Sequence, residues 1–128
     1  MEISVGMKAE VSTLVEREDT AVAVGSGSLL VYATPCMVAL MEGAACEAIS
    51  GAVPEEKTTV GIELSISHLT ATPVGMAVRA EAEVVAIDGN IITFQVTAFD
   101  ENDKIGEGRH KRALISSQKF LDRTYSKL

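Results

Sequence analysis

Three side chains in the sequence are of types that carry out acid–base chemistry, and each stands in an apolar setting. Glu42 lies in the middle of residues 31–50, which are almost entirely apolar or small. Thr34 opens that run directly before Pro35, and His68 ends the apolar face of a later strand-like segment. A carboxylate in such a run needs polar partners or a change of protonation, and histidine is the usual general acid or base near neutral pH. Together these residues predict a site, although each alone also fits a structural role.

The spacing of Thr34 and Glu42 raises a geometric problem. The run predicts a helix with Thr34 as its N-cap and Pro35 as its first residue, reaching about Ile49 and ended by Gly51. Eight residues correspond to about 12 Å along a helix axis, so Thr34 and Glu42 do not touch in one straight helix. Three explanations stay open: the helix starts after Thr34, the groups meet across a dimer interface, or they act on different parts of one substrate.

The rest of the chain is patterned mostly as strands. Residues 5–15 alternate with period two, residues 20–24 fit a second short strand, and the GSGS stretch at 25–28 reads as a loop. The tail from 117 onward fits a short helix or a frayed end. Between the helix that ends near Ile49 and this tail lie four longer strand-like segments: TVGIELSISH (59–68), MAVRAEAEVVA (76–86), IITFQVTAF (91–99) and IGEGRHKRALIS (105–116). In the first of them, Val60, Ile62, Leu64, Ile66 and His68 are expected to share one face.

The order of these elements predicts the fold class. A helix that is apolar nearly all round must be covered on several sides. A curved antiparallel sheet of five to six strands can wrap around it, so we expect an α+β protein with the hot-dog fold, forming one domain over residues 1–128. So small a sheet usually pairs with a second copy, and we expect a homodimer or a higher homo-oligomer.

Composition and cysteine usage point to the cytoplasm. The chain has 128 residues, of which 47% are hydrophobic and 23% charged, as in a globular protein. No apolar run approaches the roughly 20 residues that cross a bilayer, and the first residues do not resemble a signal peptide. Cys36 and Cys46 lie about 15 Å apart in the predicted helix, too far for a disulfide. Both are expected to be free, buried thiols, and no membrane partner is expected.

The charge distribution predicts a local anion site. The net charge is −7, yet residues 104–128 contain seven Lys and Arg against two acidic residues. A nucleotide-bearing molecule such as coenzyme A suits this segment better than nucleic acid does. There is no metal-ligand spacing and no dinucleotide fingerprint, so neither a metal nor a resident cofactor is expected. His110 and Arg112 have the same parity here and fit a solvated edge, although Arg112 could bind a carboxylate, a phosphate or Glu42 itself.

Three stretches of the sequence resemble a known family. YATPCMVALMEGAACEAI, TVGIELSISHLTATPVG and GEGRHKRALI are similar to segments of the hot-dog thioesterases related to fluoroacetyl-CoA thioesterase. The resemblance implies a dimer with its sites at the interface and an acyl-CoA substrate. It also implies that the catalytic set is Thr34, Glu42 and His68, and that Gly61 and Arg112 contact the substrate.

Two departures from that family leave the acyl group open. The fluoroacetyl enzyme is similar but has aromatic residues ahead of the helix, where this chain has AVAVGSGSLL, and a bulky aromatic residue after the helix glutamate, where this chain has Gly43. We therefore expect hydrolysis of a short or medium acyl-CoA, with coenzyme A as part of the substrate. The alternatives are a non-catalytic acyl-CoA-binding module and a hot-dog enoyl-CoA hydratase. Such hydratases typically pair Asp and His within one short segment, which this sequence lacks.

Overall fold

The computed structural model describes residues 2–128 and contains five strands and three α-helices. Short 3₁₀ turns occupy residues 17–19 and 50–52. In the part of the chain that the structure describes, no helix is long and apolar enough to cross a membrane. The elements are β1 (Lys8–Leu14), α1 (Ala21–Val24), α2 (Thr34–Ile49), β2 (Lys57–His68), β3 (Ala77–Asp88), β4 (Ile91–Phe99), β5 (Lys104–Ser116) and α3 (Ser117–Tyr125).

The five strands form one antiparallel sheet in the order β1-β3-β4-β5-β2. Helix α2 packs against this sheet, mainly on β1, β3 and β4. The arrangement confirms the predicted α+β class and the hot-dog fold, with five strands rather than six. Strands β1 and β2 form the two edges of the sheet, and β2 is the longer of the two.

The core lies between α2 and the inner face of the sheet, as the alternating pattern predicts. Every second residue of β4, and of β3 as far as Val84, is buried, and α2 contributes two methionines and small side chains that let the helix approach the sheet closely. The buried residues are Val78, Ala80, Ala82 and Val84 in β3, Ile92, Phe94, Val96 and Ala98 in β4, and Met37, Met41, Ala44, Ala45 and Ile49 in α2.

Two local expectations are wrong. Residues 21–24 form the helical turn α1 rather than a strand, because the Val24 N–H donates to the Thr20 carbonyl and the left-handed Gly25 ends the turn. Thr20 itself makes only an isolated bridge to Tyr32. Both cysteines are free as expected, but Cys46 is exposed and Cys36 only half-buried. The surface of α2 around Cys46 is thus uncovered in a single chain.

A β-bulge changes which residues of β2 face the helix. The pairing with β5 shifts between Gly61 and Glu63, so that Gly61 lies opposite Arg112 while Leu64 lies opposite His110. One extra residue moves the side chains before it to the other face of the sheet. The expectation that Val60 and Ile62 share the face of His68 is therefore wrong, and Ile62 is 51% exposed. The bulge instead brings Gly61 onto the face that looks toward α2.

Candidate active site

Thr34 and His68 form a hydrogen-bonded pair at the start of α2. Thr34 is the first residue of the helix rather than its cap, because the Ala33 carbonyl already accepts the N–H groups of Cys36 and Met37. Its hydroxyl makes no cap bond to the helix backbone. Instead, Thr34 Oγ1 lies 2.7 Å from His68 Nδ1. The structure therefore brings two of the predicted catalytic residues together directly.

The second ring nitrogen of His68 is buried and unsatisfied. Nε2 has no hydrogen-bond partner among residues 2–128. Burial lowers the pKa of His68 below its usual value of 6.5, so the imidazole is neutral at pH 7. A cleft of about 420 Å³ opens beside Thr34 and His68. Since buried polar atoms are almost always paired, this nitrogen is available to a group that enters from outside the chain.

Glu42 belongs to a second cluster on the inner face of the sheet. Its Oε2 lies 3.0 Å from Arg112 Nη1 and 3.6 Å from His110 Nε2. The carboxylate remains partly accessible, whereas Arg112 and His110 are buried. A Cβ atom on Gly61 would lie 2.5 Å from Glu42 Oε2, so glycine leaves room for the carboxylate. Glu42, Gly61 and Arg112 are thus in contact, as three of the predicted site residues.

The burial of Arg112 and His110 corrects the expectation of a solvated edge. Strand β5 lies inside the sheet between β4 and β2, so its inward side chains face α2 rather than solvent. Arg112 donates from Nε to Thr59 Oγ1 at 2.9 Å and from Nη2 to the Thr59 carbonyl at 3.1 Å. Neither His110 nor Thr59 is predicted as a site residue from the sequence; the shared parity of His110 and Arg112 is the one pattern that indicates their proximity.

The two clusters lie apart within one chain. Thr34 and Glu42 are eight residues apart in one helix, about 12 Å along its axis. Gly61 and His68 are seven residues apart in β2, about 23 Å along an extended strand. Because α2 begins at Thr34, a later helix start is excluded as the explanation of the spacing. A single chain therefore does not bring Glu42 to the Thr34–His68 pair.

The chemistry available is that of a carboxylate and a neutral imidazole. A partly accessible carboxylate beside a buried guanidinium can act as a base or a nucleophile. A neutral imidazole bonded to a hydroxyl can accept or pass a proton. Within residues 2–128, no three His, Cys, Asp or Glu side chains are grouped as metal ligands would be.

Residues 15–118 match the family described as fluoroacetyl-CoA-specific thioesterase. The chain belongs to this family. The fluoroacetyl-CoA thioesterase family also contains a curated relative, the fluoroacetyl-CoA thioesterase of Streptantibioticus cattleyicolor, which is 37% identical over 90 residues. That match covers 70% of this chain and 65% of the relative, so the aligned region spans just under two thirds of the relative's length. The resemblance read from the sequence is confirmed.

Solved structures of the family have the same architecture. A structure of the fluoroacetyl-CoA thioesterase superposes with a TM-score of 0.94 at 28% identity, covering 100% of this chain and 99% of that one. A variant of that enzyme is solved in complex with fluoroacetate and CoA. A thioesterase superfamily member from Thermus thermophilus is similar at 30% identity with a TM-score of 0.88, over 98% of this chain and 94% of that one.

Proposed function

We propose that this protein hydrolyses acyl-CoA thioesters to a free acid and coenzyme A. The observation that carries the proposal is the neutral imidazole of His68, which is bonded to Thr34 and has a buried ring nitrogen with no partner among residues 2–128. Membership of a thioesterase family supports the reaction class. The partly accessible Glu42 carboxylate, held by Arg112, supplies the second reactive group.

In the proposed reaction, the carboxylate of Glu42 either attacks the thioester carbonyl carbon or takes a proton from the water that attacks it. In the first route the carbon–sulfur bond breaks to leave a mixed anhydride on Glu42, which water then hydrolyses; in the second route the water oxygen becomes part of the acid as the carbon–sulfur bond breaks. In both routes the neutral imidazole of His68 takes up the proton that the water loses, directly or from Glu42, and passes it to the thiolate. Thr34 orients the imidazole through its hydrogen bond. Both routes consume one water and release one acid and one thiol. Label found in the protein after a single turnover in H₂¹⁸O would identify attack by Glu42, because water that hydrolyses the anhydride at the glutamyl carbonyl leaves its oxygen on Glu42, whereas the general-base route labels only the acid.

The proposed active form is a homodimer built on the exposed edge of β2. This edge strand is 12 residues long and leaves one side of its backbone without a partner strand in the described chain. Long unprotected edges are templates for pairing with another chain. Ile62 on β2 and Leu69 just beyond it are also exposed, and they would gain burial beside a second copy.

Antiparallel pairing of β2 with its counterpart would join the two separate clusters. A two-fold axis at Ser65 would place Gly61 opposite the partner's His68, because the bulge adds one residue, Ile62, between Gly61 and Glu63. Directly opposite residues have Cα atoms about 5 Å apart. Because Glu42 Oε2 rests against Gly61, its carboxylate would then come within reach of the partner's imidazole. This pairing supports an interface site as the explanation of the Thr34–Glu42 spacing.

A basic groove at the end of the sheet is the proposed place for the phosphates of coenzyme A. Its cavity of about 480 Å³ is lined by Lys57, Lys119 and Arg123, together with Phe120 and Leu114. In the described chain, none of the three cations is paired with a carboxylate. Phosphates would contact the cations, and the aromatic ring offers a face to adenine.

The acyl group is proposed to be short or medium in length. A variant of the solved fluoroacetyl relative holds fluoroacetate and CoA, which supports a small acid as one candidate product. In this chain, no aromatic residue lies between residues 21 and 30, and Gly43 follows Glu42. Both features leave space beside the carboxylate for a longer acyl chain. The free thiols of Cys36 and Cys46 support a cytoplasmic location.

The test is the release of free thiol from acyl-CoAs from acetyl to decanoyl, with fluoroacetyl-CoA included. Wild type is expected to hydrolyse at least one of them, and E42Q and H68A to lose about a hundredfold or more in kcat. The matched control is E47Q, which removes an exposed carboxylate from the same helix and should keep wild-type rates. Tight binding without hydrolysis would indicate a binding module, and hydration of an enoyl-CoA without thiol release a hydratase. Either result would overturn the proposal.

A further inference from the structure

His110 is a buried polar residue that the proposed reaction does not use. It lies in β5 with 1% of its surface exposed, and its ring stacks on Phe94 with centroids 6.2 Å apart. Its Nε2 is only 3.6 Å from the Glu42 carboxylate. A histidine this close to a reactive carboxylate, yet shielded from substrate by burial, can act only through its neighbours.

The hydrogen bonds of His110 fix its tautomer. Nδ1 lies 2.9 Å from the carbonyl oxygen of Glu63, which can only accept, so Nδ1 carries the proton. Nε2 lies 3.1 Å from Arg112 Nη1, which can only donate, so Nε2 presents its lone pair. The ring is therefore neutral and protonated on Nδ1. A second proton on Nε2 would point at an N–H of Arg112.

This acceptor limits how Arg112 holds Glu42. The Nη1 group has two N–H bonds, one directed at Glu42 Oε2 at 3.0 Å and the other at His110 Nε2. Thr59 occupies donors on Nε and Nη2 of the same guanidinium. Among residues 2–128, no hydrogen bond reaches Glu42 Oε1. Arg112 thus donates a hydrogen bond to one carboxylate oxygen of Glu42, Oε2, and leaves Oε1 free.

Without the acceptor on His110, an N–H of Arg112 is released. A guanidinium that His110 no longer holds can turn so that Nη1 and Nη2 bond the two carboxylate oxygens in parallel. A carboxylate that accepts hydrogen bonds from arginine at both oxygens has its negative charge more fully compensated, so it is a weaker base and nucleophile. We propose that His110 is a positioning residue, which occupies one Nη1 proton of Arg112 so that Glu42 keeps one oxygen free to react. The inference rests on the role proposed for Glu42.

The test compares two substitutions that each keep one half of the imidazole. In H110Q, the amide reaches the position of Nε2 and can accept from Arg112; in H110N, the amide reaches the position of Nδ1 and can donate to Glu63. We expect H110Q to keep kcat within about threefold of wild type and H110N to lose about tenfold or more, with KM little changed in both. Equal kcat values for the two variants, or a loss that follows their thermal stability, would overturn the proposal.

A second measurement does not depend on catalysis. The sequence contains only two histidines, so ¹⁵N–¹H spectra of ring-labelled H68Q report His110 alone. At pH 7 the spectrum is expected to show a protonated Nδ1 and a bare Nε2. An Nε2-protonated ring or an imidazolium would overturn the inference even in an active enzyme. If no acyl-CoA is hydrolysed, the proposed function fails while the tautomer remains decided by this spectrum.

Discussion

At the scale of single residues, the protonation of His68 is the property on which the proposed chemistry depends. Burial lowers the pKa of His68 below 6.5. We therefore expect an NMR titration of its ring protons to have a midpoint below pH 6.5. Because the unfolded chain binds this proton more readily, the contribution of His68 to stability is complete above pH 6.5 and falls as the pH drops toward the folded-state pKa.

The titration has an internal comparison and a kinetic counterpart. The H110Q variant removes the signal of the other histidine, so the remaining ring signal belongs to His68. The acid limb of kcat/KM, which reports the free enzyme, should likewise lie below pH 6.5. A midpoint at or above 6.5 would contradict a buried, neutral imidazole and remove the basis for its role as proton carrier.

A second prediction at the residue scale concerns the effect of replacing Gly61 on stability and on kcat. In G61A, the new Cβ would meet Glu42 Oε2 at 2.5 Å and His110 Cε1 at 3.2 Å. The end of a flexible side chain can move aside, so the free energy of unfolding should change by less than about 1 kcal/mol. Displacing the carboxylate from Arg112 is nevertheless expected to lower kcat about tenfold or more, since small misplacements of reacting groups are costly.

Kinetics and thermal unfolding on the same preparations of G61A test this separation. A fully active, equally stable variant would show that the contact between Gly61 and the carboxylate is not needed for catalysis. A variant that unfolds early would show instead that the neighbours of Gly61 cannot give way.

At the scale of elements, local pattern predicts most of the fold but misses the irregularities that build the site. Helix α2 and strands β3 and β4 follow from composition and alternation alone, because the side chains they bury recur at the period of the element. The bulge in β2 breaks the parity on which strand faces are counted. Gly61 therefore moves to the face of Arg112, which no count along the sequence indicates.

Thr34 and His110 illustrate why site residues are harder to place than core residues. A Thr before Pro fits a helix cap, yet the hydroxyl of Thr34 bonds to a histidine 34 residues away. His110 fits an edge position until β5 is known to lie inside the sheet. In both cases a distant contact decides the role, and local propensity carries no information about it.

Close packing between strands gives an element-scale prediction. In G108A, the added Cβ would collide with the backbone of Ser65 and Ile66 on the neighbouring strand. Backbone cannot move aside as a flexible side chain does, so we expect a loss of about 2 kcal/mol or more in the free energy of unfolding. Chemical denaturation at constant pH measures it.

Gly43 in α2 is the matched control for the stability measurement on G108A. A Cβ added at Gly43 meets nothing within 4 Å, and alanine is about 0.5–1 kcal/mol more favourable than glycine inside a helix. G43A should therefore be slightly more stable than wild type. If G108A were as stable as G43A, the close approach of β5 to β2 at Gly108 would not be a real constraint.

At the scale of the whole molecule, the uneven charge predicts where selectivity for coenzyme A originates. The basic groove contains Lys119 and Arg123 from α3 and Lys57 from β2. We expect the double variant K119A/R123A to raise KM for acyl-CoA about tenfold or more at low salt, because phosphate contacts are charge-assisted. The same acyl group on N-acetylcysteamine, which has no phosphates, should be hydrolysed at the wild-type rate.

The short thioester is the control that separates binding from chemistry. A rise in KM for both substrates would place the defect in the site itself rather than in the groove. An unchanged KM for both substrates would show that the phosphates bind elsewhere on the molecule. Raising the salt concentration should reduce the difference in KM between wild type and the double variant for acyl-CoA, and should leave KM for the short thioester unchanged.

The separation of the two clusters within one chain leads to the last prediction, which concerns the dimer. Suppose that each site combines Glu42 of one subunit with the partner's Thr34 and the partner's His68. A mixed dimer of E42Q and H68A then contains one intact site and one doubly defective site. Random mixing in a two-fold dimer makes half of all dimers mixed, so about a quarter of wild-type activity should return. Mixing H68A with H68Q forms equivalent mixed dimers without an intact site and should restore nothing. If native mass spectrometry finds the E42Q–H68A dimer and its activity stays at the level of the single variants, a site shared between the two subunits is excluded, and the pairing of β2 edges would have to be given up as its origin.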